Sequence, residues 1–231
     1  MTDLLPGPNR AHEPQNVALL VAKPGSRHHP ATDMPPPHLP APPVWTWLEL
    51  PARTPAQPRV LHWLSGLLPD DGGPPRIIRG EHGRPRLQPP HDRWDCNWSH
   101  SGEGLFVAAG HKLRLGVDVE RARPLPRAGE IARQFFAREE AEWLAALPPA
   151  ARRHAFVRLW CAKEAVLKAH GRGIRFGLDR VRFSMSRDGL QMSACDPGLG
   201  RPQDWQLQEF TPGRDYHAAL AWRLPWPWPP S

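Results

Sequence analysis

The chain has 231 residues, and 30 Lys and Arg against 23 Asp and Glu give it a formal charge of +7 at pH 7. This length is enough to bury one large core or two small ones, and the positive charge favours anionic partners. The basic residues are scattered arginines rather than a dense run interleaved with aromatics, so we expect no nucleic-acid partner and keep nucleic-acid binding as a minor alternative.

Cysteine usage and hydropathy restrict the compartment. Cys96, Cys161 and Cys195 are an odd number at wide spacing, without a Cys-x-x-Cys pair, which argues against a disulfide framework and a thiolate zinc site. The sequence has neither a basic start followed by an apolar core nor a run of about 18 apolar residues. We therefore expect a cytoplasmic protein with no membrane partner.

The first half of the chain changes from proline-rich to regular. Residues 1–43 are rich in proline, which fixes φ and donates no backbone hydrogen bond, so this segment is expected to be largely disordered. From Val44 the pattern predicts a strand over 44–50, a helix over 59–68 and then three short strands. These strands are 94–98, 104–109 and 113–119.

The second half is predicted to be a helical block followed by strands. The block spans about 128–170, is broken at Pro148-Pro149, and stops at Gly171. Three alternating stretches follow, at 181–185, 205–210 and 216–222. The sequence thus predicts an α+β protein in four parts. These are the segment 1–43, subdomains at 44–112 and 113–224, and a Pro/Trp tail at 225–231.

Asp118 and Glu120 lie two residues apart in a predicted strand. Period-two geometry directs both carboxylates to the same side. Magnesium takes oxygen ligands and is often held by one or two carboxylates together with substrate phosphates, so the pair is a candidate metal site. The alternative is a solvated strand edge, because Asp-x-Glu by itself is common.

The helix over 156–168 has a second candidate face. Trp160, Glu164 and Lys168 recur every four residues, which leaves a separate apolar stripe free to pack on the core. The chain has only four lysines, and two of them, Lys163 and Lys168, fall in this segment. The alternative is a surface ion pair between Glu164 and Lys168, worth about 0.2–0.5 kcal/mol.

Together these segments resemble a known family. Gly-Val-Asp-Val-Glu at 116–120, followed about forty residues later by Trp-x-x-Lys-Glu-Ala-x-x-Lys at 160–168, resembles the paired signature of the 4′-phosphopantetheinyl transferases. Supporting matches are Gly-Arg-Pro at 83–85, Asn-Trp-Ser-His-Ser at 97–101 and Phe-Phe-Ala-Arg-Glu-Glu at 135–140. The length of the chain is similar to that of the surfactin-type subclass. This resemblance implies a monomer of two similar α+β subdomains, with the active site in the cleft between them.

The resemblance implies roles for the acidic residues. Asp118, Glu120 and Glu164 would hold Mg²⁺ against the pyrophosphate of coenzyme A, the co-substrate. Glu164 would also take the proton from the carrier serine, either directly or through a metal-bound water, and Lys168 would stabilise or protonate the departing 3′,5′-ADP.

The resemblance also implies a coenzyme A site. Ser99 and His100 would contact its 3′-phosphate and adenosine, and Arg84 would add a fixed positive charge. Lys168 would contact phosphate, and Lys163 would be either a phosphate contact or a solvated partner. The family often has lysine where this chain has Arg84, and the usual basic residues near the start of the first lobe are not evident.

The implied activity transfers phosphopantetheine to a serine of an apo carrier protein. The partner would be acidic, and four arginines are candidates for its docking surface: Arg133, Arg138, Arg152 and Arg153. The alternative is a catalytically idle relative that binds coenzyme A or a carrier protein as a scaffold.

Overall fold

The structure is a computed structural model that describes residues 41–70, 72–186, 189–213 and 215–224. The predictions for residues 1–40 and for the tail at 225–231 lie outside these ranges. All described residues belong to one compact unit.

The first lobe, residues 44–111, is an antiparallel sheet covered by a helix. Its three long strands pair in the order β1-β5-β4. Helix α1 buries Val60 and Leu64, four residues apart, in the core of this lobe. Its elements are β1 (Val44–Glu49), α1 (Ala56–Leu67), β2 (Ile77–Arg79), β3 (Pro85–Leu87), β4 (Trp94–Ser101) and β5 (Gly104–His111).

The second lobe, residues 114–223, builds a similar sheet around a longer helix. Its long strands pair in the order β6-β10-β9, all antiparallel. Its elements are β6 (Arg114–Arg121), α2 (Ala128–Phe135), α3 (Arg138–Ala146), α4 (Pro149–His170), β7 (Val181–Ser186), β8 (Gly189–Cys195), β9 (Trp205–Phe210) and β10 (Tyr216–Arg223).

The same topology occurs in both lobes. In each one, the first long strand pairs with the last, and the last pairs with the one before it. Each lobe also inserts helix and a two-stranded hairpin, β2-β3 or β7-β8, between its first long strand and the other two. The predicted α+β class is confirmed.

Several predicted elements have different bounds in the structure. The helical block is three helices, because the chain turns between Phe135 and Arg138 as well as at the two prolines. The short strands β2, β3 and β8 were not predicted, since three-residue strands and a strand of mixed polarity leave no clear alternation. The β5 strand ends at His111 and β6 begins at Arg114.

Helix α4 packs closely on β6. A Cβ added at Gly116 would lie 2.2 Å from the backbone oxygen of Ala165 and 2.4 Å from the backbone nitrogen of Ala169. Only glycine therefore allows the helix to approach the strand this closely. The helix ends at Gly171, which adopts a left-handed conformation with φ of 102°. Within the described ranges, no helix has both the length and the apolar character needed to cross a membrane.

Candidate active site

The two lobes meet along a seam between β4 and β6. At its inner end, the Asp95 carboxylate accepts a hydrogen bond from the backbone N–H of Leu115 at 2.8 Å. One step further, the side-chain oxygen of Asn97 accepts from the backbone N–H of Val117 at 3.0 Å. Alternate side chains of β4 thus take the place that a neighbouring strand would have along β6, and they fix the register between the lobes.

The outer end of the seam carries both acidic residues of β6. Ser99 donates a hydrogen bond from Oγ to Oδ1 of Asp118 at 2.9 Å, and Ser101 donates from Oγ to Oε2 of Glu120 at 3.0 Å. The first lobe therefore holds the carboxylates of the second in position. Asp118 is 4% exposed, so its charge is removed from bulk water.

Glu164 reaches the same place from α4 and is also buried. Burial raises the pKa of Glu164 to about 7, and the negative charges of Asp118 and Glu120 add to the rise. Burial, together with the charge of Asp118, likewise raises the pKa of Glu120. The three carboxylates, here called the acidic cluster, are therefore close enough to repel one another.

Lys168, one turn of α4 after Glu164, supplies a positive charge beside the cluster. Its Nζ donates to Oδ1 of Asp118 at 2.7 Å and to Oγ of Ser99 at 2.9 Å. Burial alone would lower the pKa of Lys168, but the ion pair with Asp118 raises it above its usual value. Lys168 is thus a charged group tied to both lobes.

The acidic cluster suits a hard divalent cation. Its donors are all carboxylate oxygens, the ligands that Mg²⁺ prefers, and Oδ2 of Asp118 is buried with no hydrogen-bond partner in the described part of the chain. Burial is the main cause of the raised pKa values of Glu120 and Glu164, and a cation would relieve the carboxylate repulsion that adds to it. In the described ranges, no group of three or more His, Cys, Asp or Glu side chains is already arranged as a ligand set.

Ser99 and His100 lie on different faces of β4. Ser99 is half-buried against Asp118, whereas His100 is exposed, as expected for neighbouring residues of a strand. The structure therefore brings Ser99, but not His100, into contact with the acidic cluster.

Arg84 lies behind this site, buried in the wall of the first lobe. Its Nη2 donates to the carboxylate of Asp95 and, at 3.0 Å, to the backbone oxygen of Leu115. Arg84 lines a cavity of about 170 Å³ together with Lys168 and Trp98. It also lines a larger cavity of about 550 Å³.

Lys163 does not belong to this site, and the expectation that it contacts phosphate is corrected. Its side chain is fully buried, and its Nζ lies 2.6 Å from a carboxylate oxygen of Glu140. The ammonium also donates to the backbone oxygens of Leu178, at 2.9 Å, and Val181. All three protons are used within the core, so no surface of this group remains for a ligand.

Trp160 and Arg152, which the sequence also singled out, make contacts that stabilise the fold. Trp160 packs against Phe136 and Phe156, with ring centroids 6.4 and 5.9 Å apart. Arg152 donates to three carbonyl oxygens at the end of α3, which makes it a helix cap rather than a free docking group.

Sequence reasoning missed the roles of Asp95, Ser101 and Glu140. The first two belong to the alternation 95, 97, 99, 101 of β4, which is visible in the sequence as a row of short polar side chains. Glu140 accepts hydrogen bonds from two backbone N–H groups, those of Ala137 and Phe183. No local pattern in the sequence reveals that a charged residue of this kind is buried.

Comparison with known proteins shows a similarity to one family. The sequence profile of the 4′-phosphopantetheinyl transferase superfamily matches residues 114–221, which include the acidic cluster and Lys168. Over this segment, the chain is similar to the 4′-phosphopantetheinyl transferase superfamily.

Several members of the superfamily are similar to this chain. The transferase psf-1 of Bacillus pumilus is 37% identical over 129 residues, 56% of this chain and 53% of its own. AcpT of Escherichia coli is 34% identical over 122 residues, 52% of this chain and 62% of its own. Sfp of Bacillus subtilis is 31% identical over 138 residues, 60% of this chain and 59% of its own. In each case the chain spans less than two thirds of the relative's length.

One solved structure also aligns. The alignment with the crystal structure of holo-[acyl-carrier-protein] synthase from Neisseria meningitidis covers 47% of this chain and 95% of that one, with a TM-score of 0.36 and 18% identity.

Proposed function

We propose that this chain is a 4′-phosphopantetheinyl transferase, which moves phosphopantetheine from coenzyme A to a serine of an apo carrier protein and releases 3′,5′-ADP. The observation that carries the proposal is the acidic cluster beside Lys168, held across the seam between two lobes. Asp118 and Lys168 come from one lobe and Ser99 from the other, and the three side chains are mutually hydrogen-bonded. The names of the relatives support the same activity.

The proposed reaction uses Glu164 and Lys168. The serine Oγ attacks the phosphorus that carries the pantetheine arm, and the bond from that phosphorus to the oxygen bridging the pyrophosphate breaks. Glu164, whose pKa is raised to about 7 by burial, accepts the serine proton. The electron pair of the broken bond leaves with 3′,5′-ADP, where Lys168 stabilises the new charge or supplies a proton.

The reaction as proposed depends on Mg²⁺. Asp118, Glu120 and Glu164 are the residues that would hold the ion. When bound, Mg²⁺ neutralises charge on pyrophosphate oxygens that would otherwise repel the nucleophile. Without it, the buried carboxylates would repel the same oxygens, so the acidic cluster by itself favours neither binding nor transfer.

Coenzyme A would be held mainly by positive and hydroxyl groups around the seam. Ser99 and Lys168 line the proposed pyrophosphate position. His100 is exposed at the end of β4, where it is available to the 3′-phosphate, and Arg84 adds positive charge from the wall of the adjoining cavity.

The carrier protein is proposed to be acidic, because the chain has a net charge of +7 and exposes arginines near the helical block. Arg133 and Arg153 are exposed and remain candidates for docking, together with Arg138, which forms a surface ion pair with Glu142. We propose that the enzyme acts as a monomer. Its three cysteines are free thiols, which supports a reducing cytoplasm.

The test is mass spectrometry of apo carrier proteins incubated with the chain, coenzyme A and Mg²⁺. We expect the carrier protein to gain one phosphopantetheine group, and we expect no gain when a chelator is present. Glu164→Gln should abolish transfer while the circular dichroism spectrum is unchanged. Glu130→Gln, at an exposed position of α2, is the matched control and should transfer normally.

One outcome would favour the alternative function. If coenzyme A binds tightly in calorimetry but no carrier of a panel from fatty-acid, polyketide and nonribosomal-peptide synthesis is modified, the chain is a scaffold rather than an enzyme.

A further inference from the structure

A further cavity lies where the chain turns from β4 into β5. It has a volume of about 400 Å³ and is bounded by this turn, the ends of β1 and β6, and the start of β10. This volume is within the range of pockets that hold a ligand or a long side chain. We call it the aromatic pocket after two of its lining residues, Trp47 and Tyr216. Gly104, Glu49, Glu103 and Arg121 also line it.

Two aromatic rings, one from each lobe, form a wall of this pocket. Trp47 of β1 and Tyr216 of β10 meet edge to face, with ring centroids 4.8 Å apart and an angle of 64° between the rings. Their approach depends on Gly104, because a Cβ there would lie 2.1 Å from the ring of Trp47 and 2.9 Å from that of Tyr216. Both rings are only half-buried, so part of their surface remains available to a ligand.

Two carboxylates lie beside these rings. Glu49 follows Trp47 by two residues in β1 and therefore points to the same side of the strand. Glu103 is held next to the end of β1, because its backbone oxygen accepts a hydrogen bond from the backbone N–H of Leu50 at 2.8 Å. Both glutamates are exposed, and among the described residues neither side chain has an ion-pair or hydrogen-bond partner.

The aromatic pocket is negative, although the whole chain has a formal charge of +7. The carboxylates of Glu49 and Glu103 oppose a single guanidinium, that of Arg121, so the lining residues have one net negative charge. The faces of aromatic rings are also negative and attract cations. Rings and carboxylates together therefore suit an organic cation, whereas an anion would be repelled by both.

The pocket is open to the protein surface. Four of its lining residues are exposed: Glu49, Pro51, Glu103 and Arg121. Sites for free small molecules enclose most of the ligand surface, so an open pocket is better suited to one side chain that another protein presents. Arg121 directly follows Glu120 of the acidic cluster in β6, so a protein bound here would lie close to the seam between the lobes.

We propose that the aromatic pocket is a docking site for a partner protein, and that it receives a lysine or arginine side chain of that partner. The apolar stem of such a side chain packs on Trp47 and Tyr216, while its cationic end meets Glu49 and Glu103. The pocket shares no lining residue with the acidic cluster or with the cavities beside Arg84, so it is separate from the proposed coenzyme A site.

The test uses Tyr216, which is the only tyrosine of the chain. Labelling the full chain with fluorotyrosine gives one fluorine NMR resonance, which reports on the pocket. The probe is an acetylated and amidated peptide, Gly-Ser-Lys-Ser-Gly, titrated at constant ionic strength. We expect a saturable shift of the resonance. The same peptide with norleucine in place of lysine keeps the apolar stem but has no charge, and it should bind about tenfold more weakly.

Variants at exposed positions test the role of charge. Glu49→Gln/Glu103→Gln removes both carboxylates and should weaken binding of the lysine peptide about tenfold. Glu130→Gln/Glu139→Gln makes the same charge change on α2 and α3 and should bind as the unmodified chain does. Arg121→Gln removes the lining cation, so the lysine peptide should bind more tightly.

Several outcomes would overturn the proposal. Absence of a saturable shift, equal affinity for the two peptides, or equal losses in the two double variants would show that the pocket does not select a cationic side chain. A shift that depends on the concentration of the chain, with no peptide present, would identify a second copy of the chain as the occupant instead. None of these measurements depends on transferase activity.

Discussion

Lys168 donates from Nζ to Oδ1 of Asp118 at 2.7 Å, while Oδ2 of the same carboxylate is buried and has no hydrogen-bond partner among the described residues. One oxygen is thus held by Lys168 and Ser99, and the other is open to a further ligand. Asp118 joins β6 to α4 through this contact, and Ser99 adds the first lobe. The arrangement makes the acidic cluster sensitive to pH, to divalent cations and to the fit between the lobes.

The raised pKa of Glu164 predicts a pH dependence of stability. The folded chain binds a proton on Glu164 more tightly than the unfolded chain does, because the pKa of this carboxyl is near 4.5 when the chain is unfolded. Protonated Glu164 therefore makes its full contribution to the free energy of unfolding below pH 4.5. This contribution is lost as the pH rises through the folded pKa, about 7. In chelator, the unmodified chain should lose about 3 kcal/mol over this range relative to Glu164→Gln.

Urea denaturation at a series of pH values measures this difference. Added Mg²⁺ should restore the stability of the unmodified chain near neutral pH and have a smaller effect on Glu164→Gln. Parallel pH profiles for the two proteins would show that Glu164 is not in a desolvated, carboxylate-rich place.

Replacing His100 should weaken the binding of coenzyme A more than it slows turnover. The proposed contact is a charge-assisted hydrogen bond to the 3′-phosphate, so His100→Ala should raise the KM for coenzyme A about tenfold. The KM for dephospho-coenzyme A, which lacks this phosphate, should not change. His62→Ala, an exposed histidine on α1, is the control. Equal KM increases for both substrates would assign His100 another role.

Loss of the Lys163 ammonium should destabilise the fold. Lys163→Met leaves the carboxylate of Glu140 buried without its cation, which typically costs about 3–5 kcal/mol. The same substitution at the exposed Lys112 should change the free energy of unfolding by less than about 0.5 kcal/mol. Denaturant midpoints measure both.

A second measurement separates a structural role from a phosphate contact. Coenzyme A affinity of the folded fraction of Lys163→Met, measured at low temperature, should equal that of the unmodified chain. A stable variant with weakened coenzyme A binding would restore Lys163 to the active site.

Gly116 should not tolerate even alanine. The added methyl group would collide with the backbone of α4 at Ala165 and Ala169, so the helix and the acidic cluster must move apart. We expect Gly116→Ala to be strongly destabilised or insoluble. Gly66 in α1 has nothing within 4 Å of an added Cβ, and Gly66→Ala should stabilise the chain by about 0.5–1 kcal/mol. Soluble expression and thermal unfolding compare the two variants.

The sequence by itself determined the local geometry of the site. A strand period of two puts Asp118 and Glu120 on one side, and a helix period of 3.6 puts Glu164 and Lys168 on one face. The apolar stripe of α4 and the stop at Gly171 are equally local, which is why they were predicted close to their observed positions.

Only the tertiary structure decided how these faces meet. The seam depends on side chains of β4 that reach the backbone of β6 twenty residues further along the chain, and no local pattern specifies such a pairing. The neighbours Lys163 and Glu164 show the same limit. The helix turns by about 100° between them. One side chain therefore enters the core beside Glu140 and the other faces Asp118, a choice made by the packing of α3 and β7 rather than by the helix itself.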